Sequence, residues 1–141
     1  MITRATPELD YLPPAATMAL GFNAMVGADG LLHLSGIAPF HGPDFSIVGK
    51  NDLIAQCKYV LEVLKRALEA GGSTPENVLD ITVYITDFDQ TGEIGSKYAQ
   101  IAPLLKEFSG EHLPCSTAVG VKCLFTVDQL IEIRAVAKIV S

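Results

Sequence analysis

Charged residues are scarce in this chain of 141 residues: Asp, Glu, Lys and Arg make up 18%, against about 25% in an ordinary soluble domain. Ten basic residues face sixteen acidic ones, for a net charge of −6, and the Lys and Arg are scattered. That excludes the basic footprint of a nucleic-acid binder. Tryptophan is missing and cysteine is sparse, with Cys57, Cys115 and Cys123 making an odd count without framework spacing. Along a strand, Cys115 and Cys123 would lie about 26 Å apart at ~3.3 Å per residue, too far for a bridge. The opening MITRATPELD has no apolar signal-peptide core, so a reduced, cytoplasmic location is expected. CxxC, HExxH, GxSxG and glycine-rich phosphate loops are also absent. His33, His41 and His112 are dispersed, which leaves no ligand set for a metal, and no cofactor is expected. His33, within a strand, reads as a core or interface histidine.

Long apolar runs are missing too. The uncharged stretch 11–28, YLPPAATMALGFNAMVGA, only reaches the lower limit of a spanning helix. It is interrupted by Pro13, Pro14, Asn23 and two glycines, so no membrane association is expected. What the chain does have is apolar content, 49% of residues. A single domain over residues 1–141 cannot hide that much apolar surface by itself, which implies an oligomer.

Periodicity gives the element order. The first twenty residues, with Pro7, Pro13 and Pro14, read as irregular or edge-like. FNAMVGADGLLHLSGIA reads as a hairpin turned by Asp29-Gly30. Residues 38–50 read as a loop with a short extended piece. A helix is expected from about Asn51 to Gly71, with Leu53, Cys57, Val60, Leu61, Leu64 and Leu68 on one face and Gly71-Gly72 closing it. Thr74 and Pro75 mark a short capped turn. In the strand VLDITVYITDF, Leu79, Ile81, Val83 and Ile85 are expected on one face and Asp80, Thr82, Tyr84 and Thr86 on the other. A second helix is expected from about Glu93 to Phe108, with Pro103 inside it. Two strands finish the chain. In the first, Cys115, Thr117, Val119, Val121 and Cys123 alternate with Ser116, Ala118, Gly120 and Lys122. In the second, Ile131, Ile133, Ala135, Ala137 and Ile139 alternate with Leu130, Glu132, Arg134, Val136 and Lys138. The ββ-α-β-α-ββ order predicts an α+β fold, a mixed sheet with two helices packed on one face. The uncovered face, expected to carry Ser116, Ala118 and Gly120, would then admit a neighbouring subunit.

Few residues here carry chemistry. LPCSTAVGV, residues 113–121, places Cys115, Ser116 and Thr117 at the start of what reads as a buried strand. Cys115 is either a small hydrophobe or a nucleophile awaiting a base. Ser116 and Thr117 are either loop hydrogen-bonders or ligand contacts, Ser116 favoured for its expected place on the uncovered side. Ser35-Gly36 ends a strand, where a glycine admits close approach of a ligand. Glu132 is a carboxylate inside an apolar strand. It is either a proton-moving group in a partly buried site or one half of a charge pair with Arg134, two residues along on the same face.

The segments LLHLSGIAP, DITVYITDFDQ and LPCSTAVGV…LIEIRAVAKI resemble the Rid (YjgF/RidA) family over nearly the whole chain. The resemblance implies a chorismate-mutase-like fold, a homotrimer assembled through the sheet, and ligand clefts between subunits. It also implies cofactor-free hydrolysis of enamines and imines to ketones and ammonia. Family deaminases grip the substrate carboxylate with the arginine of a P-A-R-S/T motif. With Pro114 matched to the motif's proline, Cys115 takes the alanine's place and Ser116 the arginine's, and Ala118 stands where many members have a cysteine. Gly95 stands where an asparagine often precedes an aromatic, here Tyr98, and Phe22 roughly replaces a tyrosine of the cleft. Serine cannot supply a bidentate clamp. The resemblance is therefore to an arginine-lacking branch, acting on a substrate other than a simple 2-imino acid, such as an aminated ring-cleavage product. Glu132 is the expected catalytic group; Ser35, Gly36, Phe22, Tyr98, Cys115, Ser116, Thr117 and Arg134 are the expected substrate contacts. The alternative is a small-ligand-binding or regulatory trimer that kept the cleft without the chemistry. A ribonuclease activity has been attached to relatives and fits the acidic charge least.

Overall fold

Asp29 and Gly30 both adopt positive φ, 53° and 79°, as a tight two-residue hairpin turn requires. They fold strand β2 (Met25–Ala28) onto β3 (Leu31–Leu34), with Ala28 opposite Leu31 and Met25 opposite Leu34. The computed structural model describes every residue except Phe88. Outside β2 lies the edge strand β1 (Ile2–Ala5). The proline-rich stretch that follows holds a helix absent from the sequence reading, α1 (Pro14–Ala19), with Pro14 at its first position. The loop over 38–50 contains a two-residue ribbon, β4 (Phe40–His41) against β5 (Ser46–Ile47).

Helix α2 (Leu53–Ala70) starts just past the expected Asn51, because Asp52 caps it: its carboxylate accepts from the Ala55 N–H at 2.9 Å. Leu53, Cys57, Val60, Leu61, Leu64 and Leu68 are all buried, each leucine contributing about 1.5–3 kcal/mol from burial. The helix ends at Gly71. A Cβ there would overlap Leu32 of β3, so the glycine lets the helix end rest directly on the sheet.

Strand β6 (Val78–Thr86), helix α3 (Gly95–Ser109) and strand β7 (Cys115–Val121) form a parallel crossover unit. Strand β8 (Ile131–Lys138) then inserts antiparallel between β3 and β6. Among the described residues the main sheet has six strands in the order β1-β2-β3-β8-β6-β7. Ile81, Val83, Ile85, Ile131, Ile133, Ala135 and Ala137 face α2 and α3 and form the core. This is the α+β arrangement expected, two main helices covering one sheet face.

Three expectations need correction. Leu79 does not share the face of Ile81: the ladder between β6 and β8 shifts register between Val78 and Asp80. That bulge buries Val78 and leaves Leu79 48% exposed. Strand β7 is not buried. It is an edge strand, paired on one side only, and Cys115, Ser116, Thr117 and Ala118 are exposed; Cys123 lies beyond its end. Its faces are also the reverse of those expected. Ser116, Ala118 and Gly120 stand opposite Ile81, Val83 and Ile85, so they look toward the helices. Ser116 Oγ lies 3.5 Å from the Tyr98 hydroxyl of α3, and a Cβ on Gly120 would meet Ile94.

Candidate functional site

The alternation of β8 puts Glu132 and Arg134 on the face opposite the helices, one rung apart. Glu132 stands opposite Tyr84 and Arg134 opposite Thr82 of β6. On the other side of β8, Ile37 bridges Ile133 through two backbone hydrogen bonds, 2.8 and 3.1 Å. That bridge pulls the chain just after β3 alongside Glu132. Gly36 is thereby brought so close that a Cβ would collide with Glu132 Oε2. Ser35 is locked in place, its N–H bonded to the Ala24 carbonyl (2.9 Å) and its hydroxyl to the Asn23 carbonyl (2.6 Å). The Gly36 N–H has no partner among the described residues.

These groups line a cleft of ≈ 390 Å³ with Tyr11, Phe22, Phe40, Phe45 and Phe125, within the size range of small-molecule sites. Three of its rings form a cluster: Phe40 and Phe45 meet edge-on at 5.5 Å between centroids, and Phe125 lies 6.1 and 5.8 Å from them. Tyr11 closes the inner end. Its hydroxyl accepts the Ala38 N–H at 3.0 Å, and burial pushes its ionisation above the ordinary tyrosine range, with the nearby Glu132 adding to the rise. The phenol is therefore a neutral polar group at any ordinary pH.

Glu132 and Arg134 form no ion pair among the described residues, which removes the charge-pair reading. Glu132 Oε1 instead accepts from the buried Gln129 side chain at 3.1 Å, and Arg134 is exposed without a partner among the described residues. The cleft thus offers a cation and a carboxylate on one wall and rings on another. Among the described residues no group of three or more His, Cys, Asp or Glu is arranged to hold a metal ion.

The expected site residues fall into three places within one chain. Phe22, Ser35, Gly36, Glu132 and Arg134 line the cleft. Cys115 and Thr117 share its sheet face, but two strands away on β7: Thr117 stands opposite Thr82, which stands opposite Arg134, about 10 Å off at ~4.8 Å per strand. Tyr98 and Ser116 are on the helix side and line a separate groove of ≈ 200 Å³ between α3 and β7. Sequence reasoning missed Tyr11, Gln129 and the three clustered phenylalanines. The ring spacing along the chain carries no period, and a glutamine in a loop reads as surface.

With this geometry, the sequence matches the family model described as Endoribonuclease L-PSP over residues 14–139. The chain belongs to this family, the YjgF/Rid family. A RutC family protein of Pyrococcus horikoshii is 34% identical over 116 residues, 82% of this chain and 85% of that protein. The fold recurs in a Rid-family protein of Yersinia pestis, with a TM-score of 0.79 at 22% identity over 98% of this chain and 99% of that one. It recurs again in a YjgF/YER057c/UK114 family member of Mycobacterium tuberculosis, with a TM-score of 0.75 at 21% identity over 98% and 99%. The family includes imine and enamine deaminases, and its chorismate-mutase-like α+β fold is the one observed. Among the described residues no helix is long and apolar enough to cross a membrane.

Proposed function

We propose that this Rid-family chain hydrolyses an imine or enamine to a ketone and ammonia, with Glu132 as the proton-moving group and Arg134 as the anchor for an acidic group on the substrate. The observation that carries this reading is the unpaired coexistence of Glu132 and Arg134 on one cleft wall. A carboxylate free of its neighbouring guanidinium can serve as a base, and a guanidinium free of its neighbouring carboxylate can take a ligand anion.

The chemistry balances without a cofactor. Water oxygen bonds to the C=N carbon while one water proton passes to Glu132, and the C=N electron pair moves to nitrogen. Glu132 returns that proton to nitrogen, giving a carbinolamine. The carbinolamine hydroxyl then loses its proton to Glu132, the C–N bond breaks as C=O forms, and the proton leaves with nitrogen as ammonia. An enamine enters by tautomerising to the imine. The free Gly36 N–H is available to polar substrate atoms, and the phenylalanine cluster favours a substrate with a flat apolar body over a simple 2-imino acid. An aminated ring-cleavage product has that shape.

The separation of Cys115 and Thr117 from the cleft is accounted for if the protein is a homotrimer, as the family resemblance implies. A cleft at a subunit boundary would be completed by the neighbour's β7 edge, bringing Cys115 and Thr117 to a site that a single chain leaves open. The partners are then a small molecule and two further copies of the chain, with no nucleic acid or membrane. The free cysteines fit a cytoplasmic setting.

The test is ammonia release from freshly generated imines and enamines, with and without an α-carboxylate, by wild type and Glu132→Gln. Acceleration by wild type that falls about 10²–10⁴-fold in the variant supports the reaction. Saturable ligand binding with no ammonia release across the panel would leave the family fold serving as a small-ligand regulator.

A further inference from the structure

The loop that enters β8 contains a glutamine that is 3% exposed and whose side chain makes three hydrogen bonds. Gln129 Oε1 accepts the Phe125 N–H at 3.1 Å. Gln129 Nε2 donates to the Ile131 carbonyl at 3.1 Å and to Glu132 Oε1 at 3.1 Å. The orientation of the amide is fixed by its partners. Reversing it would set the amide oxygen against two acceptors, the Ile131 carbonyl and the Glu132 carboxylate, and would leave the Phe125 N–H facing another donor.

We propose that Gln129 is a positioning residue that decides which oxygen of Glu132 exchanges protons in the cleft. Oε1 is committed to a buried N–H donor, so a proton on the acid form rides on Oε2. Oε2 is the oxygen packed against Gly36, at the backbone that lines the cleft. The same amide holds the backbone of Phe125, whose ring is one wall of the cleft. One neutral side chain thus sets the direction of the carboxylate and the place of the ring. The catalytic half of this inference rests on the reaction proposed above; the placement of the carboxylate does not.

Two arms separate them, both on the full chain. The first needs no turnover: the side-chain amide resonances of Gln129 are followed by NMR in wild type and in Glu132→Ala. A displaced amide proton supports the bond, and an unmoved one overturns the placement.

The second arm compares Gln129→Met and Gln129→Glu on a panel imine that wild type turns over. Gln129→Met keeps the side-chain length and loses every polar bond. A carboxylate misplaced by about 1 Å loses roughly a hundred-fold, and the loss is expected in kcat with KM changed less than about three-fold. Gln129→Glu keeps the acceptor for Phe125 and loses the donor to Glu132. Its activity is expected to recover as pH falls from 8 toward 5, because a proton shared by the two carboxyls restores the bond. Beside Glu132 stand Tyr11 from the amino-terminal segment, Tyr84 of β6 and Arg134 of β8, all of them kept in wild type. His33 of β3 stands further along, opposite Val136, and is common to wild type, which serves as its control. A variant equally slow at every pH, or a loss confined to KM, overturns the positioning role. A displaced amide proton with no wild-type turnover overturns the catalytic half and leaves Gln129 holding the carboxylate of a ligand-binding site.

Discussion

Gly36 and Glu132 occupy space that only one of them can fill: a Cβ on Gly36 would overlap the Glu132 carboxylate at Oε2. The obstruction is the far end of a flexible side chain, so the protein can relieve it by swinging Glu132 away. Gly36→Ala is therefore expected to fold with a stability change within about 1 kcal/mol in urea titration. The same variant is expected to lose at least about ten-fold in ammonia release, because the carboxylate leaves its working position. A variant that keeps full activity would mean that the position of Oε2 does not matter.

Arg134 has no protein partner among the described residues, so its removal reads out the ligand alone. Arg134→Met is expected to raise KM about ten- to hundred-fold for panel members bearing an acidic group and to leave acid-free members unchanged, since a charged hydrogen bond made equally in ground and transition states appears in KM. Equal effects on both kinds of substrate would remove Arg134 from the anchoring role.

The three thiols differ in kind. Cys115 and Cys123 are exposed and Cys57 is buried in α2. Burial pushes the Cys57 thiol up to about 12, so at pH 8 an aromatic disulfide reagent should titrate two thiols quickly and the third only on unfolding. The sign of the stability effect follows. The folded thiol holds its proton more tightly than the unfolded one, so its contribution is complete below the unfolded value near 9. It declines as pH rises through the interval up to about 12. Cys57→Ala should flatten the alkaline fall in urea midpoint between pH 9 and 11, measured against wild type.

The assembly has a direct measurement. Light scattering in dilute solution is expected to return about 45 kDa, three times the 15.0 kDa chain. A mass of one chain would remove the neighbour's β7 edge from the cleft and leave Cys115 and Thr117 without a role there.

Much of the fold could be read from the chain because its signals were local. Asp29-Gly30 specified a hairpin by turn chemistry. The leucine stripe specified α2, and the strict alternation of Ile131, Ile133, Ala135 and Ala137 specified both faces of β8. Where both faces of a strand carry small side chains, alternation shows that faces exist but not which one looks inward. That is why Ser116 was expected opposite its observed side: its orientation is set by pairing with Ile81, 35 residues earlier. Leu79 failed for a related reason, since a bulge resets the count and leaves no mark in composition. Glu132 was legible as an acid within an apolar run. Gln129 was not, because its burial depends on three partners brought together by the turn into β8.

Strand order has a consequence for how the protein is made. Strand β8 is the last of the described strands in sequence and sits inside the sheet, between β3 and β6. Until it has left the ribosome, the main sheet is in two pieces, β1 to β3 and the β6–β7 pair, each with an open pairing edge. The crossover unit closes over short chain distances, while the β3–β8 ladder joins residues about a hundred positions apart, a slow step on contact-order grounds. Glu132, Arg134 and Gln129 arrive on or beside that final strand. Synthesis therefore joins the two pieces and delivers the polar wall of the cleft in the same event, and a chain stopped before β8 has neither.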